Sequence, residues 1–191
     1  MKQNVKPAPL ATPMPVLMIG TYDEDGTPNL MNAAWGGTLD SDLFCLSLEK
    51  SHLTVANLER TKALTLGFPS ASEVEACDYV GIVSGSKAKD KVKVSGLTPK
   101  KSETVDAPYF DEFPLTYECV VERIIDDPEY GYYVLARVKN ILVEEGLSLG
   151  KGAYDVDKMG LILYTALDNT YRKVGEPVGK AFHCGLAKKG K

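Results

Sequence analysis

The feature that most constrains the fold of this chain is a pair of segments, residues 115–125 and 132–143, in which apolar and polar side chains alternate. Successive side chains of a β-strand point to opposite faces, so such alternation is typical of strands that bury one face. The sequence DPEYG at residues 127–131 separates the two segments and has the composition of a turn. The pattern therefore predicts a long antiparallel hairpin.

Shorter apolar segments predict further strands at residues 14–21, 29–35, 43–48, 62–68 and 161–167. The sequence DEDG at residues 23–26 predicts a hairpin turn between the first two. A helix is predicted from Ser51, as its N-cap, to Arg60. Leu53, Ala56 and Leu58 would lie on its buried side, and Asn57, Glu59 and Arg60 would face solvent. A second helix is predicted at residues 71–81, whereas Pro99, Pro108 and Pro114 predict an irregular segment at residues 98–113.

Several strands joined by short turns, with a few short helices, predict a mainly β fold. The arrangement favours a closed or nearly closed antiparallel barrel. The chain has 191 residues, about one domain at roughly 150 residues per domain, so we treat residues 1–191 as a single domain. We expect the ends, residues 1–12 and 186–191, to be mobile.

Composition argues against several classes of partner. A net charge of −4 gives no reason to expect nucleic acid, and no apolar run approaches the roughly 18 residues that span a bilayer. The first residues lack the apolar segment of a signal peptide, so we expect a cytoplasmic location. The four cysteines are widely spaced, which indicates reduced and mostly buried thiols, with Cys184 the candidate for exposure.

Asn32, Ala33, Ala34 and Trp35, at the end of a predicted strand, form the first candidate site. Small side chains let a flat ligand approach the backbone closely. The Asn32 amide can donate and accept hydrogen bonds at the polar edge of such a ligand, and Trp35 can supply an apolar wall. The alternatives are a turn residue at Asn32 and a core aromatic at Trp35.

The second candidate site is the start of the first predicted helix, where Lys50, Ser51, His52 and Thr54 cluster. A helix N-terminus presents unpaired N–H groups and a partial positive charge, which suit a phosphate. The alternative is a plain N-cap with a solvated Lys and His. A flat heterocycle that carries a phosphate would fit both candidate sites, and flavin mononucleotide (FMN) is one such molecule.

Three segments together resemble the flavin reductase-like family of FMN-binding split barrels, and within it the flavoredoxin branch. They are NLMNAAWGG at residues 29–37, EKSHLTVANL at 49–58 and VSGSKAKDK at 83–91. The likeness covers roughly residues 13–179, and the order and spacing of the segments carry it more than any single motif. The resemblance implies an antiparallel split β-barrel, bound FMN and a homodimer.

The resemblance also implies roles for further residues. Ser47, Leu48 and Glu49 would line the flavin through backbone groups, and His52-Leu53-Thr54 matches the phosphate-binding helix start of the family. Lys91 would be a second cationic contact, with Lys87 beside it, and Tyr164 would lie near the flavin. A solvated basic face for the lysines and a core or interface role for Tyr164 are the alternatives.

The resemblance implies a flavin-dependent oxidoreductase that passes electrons through bound FMN, and we assign no catalytic side chain and no metal. Many NAD(P)H-dependent relatives carry a Gly-x-His element after the long hairpin turn, whereas here residues 130–133 are YGYY. Paired prolines often found after the third-strand loop are also absent from residues 39–42. Both departures weaken the expectation that NAD(P)H is the electron donor, and a redox protein is the other candidate.

Three alternatives remain open at the level of sequence. The first is an NAD(P)H-dependent reductase that supplies reduced flavin, and the second is a non-enzymatic flavin-binding electron carrier. The third, a haem-binding split barrel, would use His52 or His183 as the axial ligand. The sequence has no GxGxxG or GxxxxGK[ST] loop and only these two histidines, which argues against nucleotide-binding Rossmann and P-loop folds and against a multi-histidine metal site.

Overall fold

The computed structural model describes Asn4 and residues 12–189, and the structural statements below refer to these residues. Fourteen strands are present in this part of the chain. They are β1 Met14–Pro15, β2 Leu17–Tyr22, β3 Pro28–Ala33, β4 Gly36–Asp40, β5 Leu43–Leu48, β6 Ala63–Phe68, β7 Pro99–Lys101, β8 Pro108–Phe110, β9 Leu115–Asp127, β10 Gly131–Val143, β11 Ser148–Gly150, β12 Ala153–Tyr154, β13 Ile162–Thr165 and β14 Thr170–Lys173.

Helices occupy a smaller part of the described chain. They are α1 Leu53–Thr61, α2 Val74–Ile82, α3 Lys91–Ser95 and α4 Val156–Met159, with 3₁₀ turns at Ala71–Glu73 and Leu186–Lys188. No helix in residues 12–189 is long and apolar enough to cross a lipid bilayer.

The central sheet has seven antiparallel strands in the order β3-β2-β6-β9-β10-β5-β4. β3 and β4 lie at opposite edges of this sheet, yet only Ala34 and Trp35 separate them in sequence. Three Cα–Cα steps join Ala33 to Gly36 and span at most about 11 Å, so the sheet must curl until its edges nearly meet. The predicted mainly β, antiparallel split barrel is confirmed, and its seam is the Ala34-Trp35 link.

The barrel interior is the larger apolar core. It receives one face of β2, β5, β6 and β10 together with the buried side of α1, and its fully buried members include Leu17, Ile19, Leu46, Leu58, Leu64 and Leu66. Burying one such side chain contributes about 1.5–3 kcal/mol. This core fixes the register of the strands, because a shift by one residue would turn the apolar side chains outward.

A second apolar core lies on the opposite face of β2 and β3, under α2. Met18 and Leu30 pack there against Cys77 and Val80 of the helix. β2 is therefore buried on both faces, which explains why its sequence LMIGTY is apolar without alternation. α2 is held over β3 by this core, and the functional site described below forms between them.

The long hairpin is confirmed as β9 and β10, and two register shifts show that bulges interrupt the pairing. The prediction of an irregular segment at residues 98–113 was wrong in part, because β7 and β8 pair there at Pro99–Phe110 and Lys101–Pro108. β4 and β14 were not predicted. Both are short and exposed, so neither has the apolar run from which a strand is recognised.

The start and buried side of α1 also differ from the prediction. The helix begins at Leu53 with His52 in the N-cap position, and no side chain caps it, so Ser51 is not the N-cap. Ala56 is exposed, whereas Asn57, expected to face solvent, is buried and donates to Thr21 Oγ1 at 3.1 Å. A polar partner inside the fold stabilises Asn57 there.

Cys77 and Cys119 are buried, as expected, and burial raises the pKa of each thiol to about 12. Cys45 is partly buried and Cys184 is exposed. The expected mobility of the chain ends stays a prediction, since residues 1–3, 5–11, 190 and 191 lie outside the described part of the chain.

Candidate functional site

The seam of the barrel places the first candidate site at the surface. The Ala34 carbonyl accepts from the Gly36 N–H at 3.0 Å, and the Trp35 carbonyl accepts from the Ser47 N–H at 2.8 Å. The backbone of Trp35 is thus fixed to β5 while its side chain remains 50% exposed. The core-aromatic alternative for Trp35 is therefore wrong, because the indole stands at the mouth of a cavity.

This cavity, which we call the main cleft, has a volume of about 480 Å³. Its walls come from the seam, from α2 and from the β13–β14 hairpin. The lining residues are Met31, Asn32, Ala33, Ala34, Trp35, Ser47, Leu48, His52, Asp78, Gly81, Ile82, Tyr164, Asn169 and Tyr171. Eight of the fourteen predicted site residues are among them, namely Asn32, Ala33, Ala34, Trp35, Ser47, Leu48, His52 and Tyr164.

Asn32 is fixed by hydrogen bonds to two neighbouring elements. Its Nδ2 donates to the Cys77 carbonyl of α2 and to the Tyr171 hydroxyl of β14, each at 3.2 Å. The two N–H groups of the amide are therefore used, and its carbonyl oxygen is the atom left to accept from a ligand. Gly81 permits this close packing, since a Cβ there would lie 2.9 Å from the Asn32 Cβ.

A hydrogen-bond chain continues from Asn32 along the wall of the main cleft, where the Tyr171 hydroxyl donates to Asp78 Oδ1 at 2.8 Å. In a separate bond on the same wall, the Tyr164 hydroxyl donates to Asn169 Oδ1 at 2.7 Å. Burial, and then the Asp78 carboxylate, raise the pKa of Tyr171 to about 12. Tyr171 is therefore a neutral donor at physiological pH, and its hydroxyl orients both Asn32 and Asp78.

A smaller cavity of about 180 Å³, which we call the side pocket, adjoins the main cleft and shares Asn32 and His52 with it. It lies between the start of α1 and the loop after α2. Its lining includes Asn29, Leu53, Thr54, Val83, Ser84, Gly85 and Lys91. Thr54 and Lys91, both predicted site residues, are thus brought together from positions 37 residues apart in sequence.

Unused donors from the start of α1 line the side pocket. The Val55 N–H bonds to the His52 carbonyl at 2.9 Å, but within the described chain the N–H groups of Leu53 and Thr54 have no partner. Thr54 Oγ1 accepts from Asn29 Nδ2 at 3.0 Å, which leaves the Thr54 hydroxyl proton free to be donated. No acidic residue lies in the first helical turn. This arrangement suits an anion.

Lys91 supplies the positive charge of the side pocket. Its side chain is buried, and Nζ donates to the Val80 carbonyl at 3.1 Å and the Val83 carbonyl at 3.2 Å, at the end of α2. The third ammonium proton is left for a ligand. Burial lowers the pKa of Lys91 to about 8, partly offset by the Asp23 carboxylate. A buried anion beside this ammonium would favour its charged form.

Four predicted site residues do not line either cavity. Lys50 forms an ion pair with Asp126, and its Nζ lies 5.1 Å from the centre of the Tyr132 ring, at the β9–β10 end of the molecule. Glu49, Ser51 and Lys87 are exposed outside both cavities. Among the described residues, the cation of the side pocket is therefore Lys91 and not Lys50 or Lys87.

Several lining residues were not predicted from the sequence. Asp78 and Tyr171 come from α2 and β14, elements whose approach to β3 depends on tertiary packing. Asn29 is different, because a polar amide inside the apolar strand 29–35 was visible in the sequence and could have been recognised as functional. Gly85 also belongs to the wall, and a Cβ there would lie 2.6 Å from Asn29 Oδ1.

The two cavities together fit a flat ring system that carries a phosphate side chain. The main cleft offers an indole, small side chains and the edge strand β3, and its size lies within the range of about 300–1,000 Å³ for small-ligand sites. The side pocket offers an ammonium group, a hydroxyl and two unused N–H groups. The donor set therefore fits FMN, as the resemblance implies.

Comparison with known proteins agrees with this arrangement. Residues 10–160 match the family described as flavin reductase like domain. Flavoredoxin of Desulfovibrio vulgaris (Miyazaki F) is 34% identical, with a TM-score of 0.90 over 97% of this chain and 100% of that one. Flavoredoxin from Methanosarcina acetivorans is 26% identical, with a TM-score of 0.87 over 98% and 100% of the two chains. The chain belongs to the flavin reductase-like family of split-barrel flavoproteins.

Proposed function

We propose that this protein is an FMN-dependent oxidoreductase of flavoredoxin type, which transfers electrons through FMN bound across the main cleft and the side pocket. The observation that carries the proposal is the junction of the two cavities at Asn32 and His52. One cavity suits a flat heterocycle and the other suits an anion, so a phosphorylated flavin satisfies both.

The side pocket would hold the phosphate. Lys91, the Thr54 hydroxyl and the N–H groups of Leu53 and Thr54 would donate to its oxygens. A charge-assisted hydrogen bond contributes about 1.5–3 kcal/mol. Riboflavin lacks the phosphate, so the site should prefer FMN. In FAD the same phosphate carries a further nucleotide, for which the side pocket, about 180 Å³ in volume, leaves little room.

The main cleft would hold the flavin ring. Trp35 would cover part of the ring, Ala33 and Ala34 would let it approach the backbone, and Asn32 Oδ1 would accept from a ring N–H. FMN supplies the redox chemistry when it is bound, because its ring can take up and release a hydride or single electrons. The chain orients the ring, limits its contact with water and, through Tyr171, fixes the accepting amide.

The electron donor is proposed to be a redox protein. The segment Tyr130-Gly131-Tyr132-Tyr133 carries no cation for the phosphates of a nicotinamide dinucleotide, and Lys50 beside Tyr132 is already paired with Asp126. Asp78 places an acidic group in the wall of the main cleft. The solved structures of high similarity are named flavoredoxins, which supports an electron-transfer role. We therefore expect NADH and NADPH to reduce bound FMN slowly.

We also propose a homodimer. The mouth of the main cleft is open, and two large side chains at its edge, Trp35 and Ile82, are 50% and 76% exposed. A flavin ring in the cleft would be exposed to water on this side. A second copy placed over the mouth would cover both the ring and the exposed side chains.

The test begins with the purified protein, which should contain FMN or bind it when added. Titration of the apoprotein with FMN and riboflavin, followed by quenching of the single tryptophan, should give clearly tighter binding of FMN; equal affinities would refute the phosphate assignment. Anaerobic stopped-flow should then show slow bleaching with NADH and NADPH. Bleaching of the bound flavin at tens per second with micromolar NADH or NADPH would instead support an NAD(P)H-dependent reductase.

A further inference from the structure

After β14 the chain continues as an exposed segment, residues 174–186, which we call the C-terminal arm. Every residue of the arm is exposed, and Val178 and Phe182 reach 105% and 99% exposure, while Leu186 is 49% exposed. Its first N–H, at Val174, bonds to the Leu161 carbonyl at 2.9 Å. Beyond that bond, the backbone hydrogen bonds of the described arm are internal, as between Cys184 N–H and the Lys180 carbonyl at 2.9 Å.

A segment with several exposed large apolar side chains is unusual on a surface that contacts only solvent. Val178, Phe182 and Leu186 are three large apolar side chains exposed within nine residues, and such a group normally marks a surface that contacts another molecule. Phe182 has a φ of +59°, a left-handed conformation that a bulky residue rarely adopts without contacts that hold it. Among the described residues, the body of the same chain supplies no such contact, so a surface on another molecule is indicated.

The charge of the chain from the arm to the C-terminus indicates what this other molecule is. The arm itself is neutral, with Glu176 and Lys180, but Lys188, Lys189 and Lys191 follow it, so residues 174–191 carry a net charge of +3 and the preceding residues a net charge of −7. The body of this protein is therefore electrostatically complementary to its own C-terminal segment. A second copy of the chain offers that acidic body together with an open apolar mouth at Trp35 and Ile82.

The position and length of the arm permit this contact. The arm leaves β14 beside Tyr171, which lines the main cleft, so it starts at the edge of one site. Residues 174–180, which precede the turn bonded at Lys180, can extend about 23 Å from β14, enough to bring Phe182 onto a neighbouring subunit. In a twofold dimer, each arm would reach the cleft of the other subunit.

We propose that the C-terminal arm of one copy docks over the main cleft of a second copy, with Phe182 packed against Trp35 and Ile82. This inference rests on the homodimer of the proposed function and adds which segment of the partner, the C-terminal arm, covers the cleft. The arm then forms one wall of the site and limits what can reach the ring.

A disulfide cross-link tests the contact without any flavin. Cys184 lies two residues after Phe182 and is exposed. In the Ile82→Cys variant, mild oxidation with copper phenanthroline should give a covalent dimer on a non-reducing gel. The covalent dimer should be absent from the Ile82→Cys/Cys184→Ser variant. Val94→Cys, which places a cysteine at a 58% exposed position on α3, should form no covalent dimer and is the matched control.

A monomer linked between residues 82 and 184 would show that the arm covers its own cleft, which would overturn the proposal. Failure to cross-link in a protein that light scattering shows to be dimeric would also overturn it, while leaving the homodimer in place. The second measurement is acrylamide quenching of Trp35 in the apoprotein, which Phe182→Ser should increase and Val94→Ser should not. Equal quenching in wild type and Phe182→Ser would refute the contact with Trp35.

Discussion

Replacement of Lys91 by methionine should separate binding of the phosphate from binding of the flavin ring. Methionine keeps an unbranched apolar side chain in the buried site but removes the ammonium group. The loss of one charge-assisted hydrogen bond to a buried anion is about 1.5–3 kcal/mol. At 1.4 kcal/mol per factor of ten, the dissociation constant of FMN should rise about 10- to 150-fold. Riboflavin, which has no phosphate, should bind with nearly unchanged affinity.

Two features of the structure affect the stability of this variant in opposite directions. The Val80 and Val83 carbonyls lose their donor, which destabilises the end of α2. Removal of a buried charge relieves the desolvation that lowers the pKa of Lys91. Urea unfolding of the apoprotein should therefore be measured first, so that ligand affinities are compared only where the variant is folded.

The assay is quenching of Trp35 fluorescence by FMN and by riboflavin in wild type, Lys91→Met and Lys87→Met. Lys87 is exposed in the loop that precedes α3 and lines neither cavity, so it is the matched control. The Lys87→Met variant should bind FMN as wild type does. Equal weakening of FMN and riboflavin in folded Lys91→Met, or no weakening of FMN, would refute the assignment of the side pocket.

Three further results are expected. FMN affinity should fall as the pH rises through about 8, because Lys91 loses its proton there, and pH titrations of wild type against Lys91→Met check this. The pKa of Lys91 is lower in the folded than in the unfolded chain. The free energy of unfolding should therefore rise as the pH is raised from about 8 to the unfolded pKa of about 10.4, which urea melts can measure. Tyr171→Phe should weaken flavin binding by about 1 kcal/mol in titrations, because Asn32 loses an orienting partner. Gly81→Ala should lower the thermal unfolding midpoint and weaken flavin binding, since its Cβ would press on Asn32 at 2.9 Å; unchanged values would argue against this packing.

The resemblance and the local sequence patterns predicted many of the residues that line the two cavities, because several of these residues lie close together along the chain. Asn32, Ala33, Ala34 and Trp35 form one continuous segment, and the structure places all four in the wall of the main cleft. The basic run at residues 87–93 drew attention to Lys91, although its alternating lysines could not show which one is buried. Exposure of a lysine depends on the neighbouring elements and not on its own segment.

Lys50 illustrates the limit of local reasoning. Its place before a helix predicted a phosphate contact, but its partner Asp126 lies 76 residues away and reaches it only because β5 pairs with β10. Asn57 is a similar case, since Thr21 and Asp23 give it hydrogen bonds inside the fold. A polar residue on a helix is assigned to solvent unless a distant partner is known.

The sequence by itself determined β2, β3, β5, β6, β9 and β10, because an apolar run or an alternation of period two is a local property that requires burial of one or both faces. It also determined one wall of the main cleft, because the continuous segment 32–35 carries it. Only the tertiary structure decided how that site is completed. Curling of the seven-stranded sheet brings β3 and β4 together at the seam, and packing of α2 and β14 against β3 adds Asp78 and Tyr171. These contacts join residues as far as 139 positions apart, and no local pattern encodes such a distance.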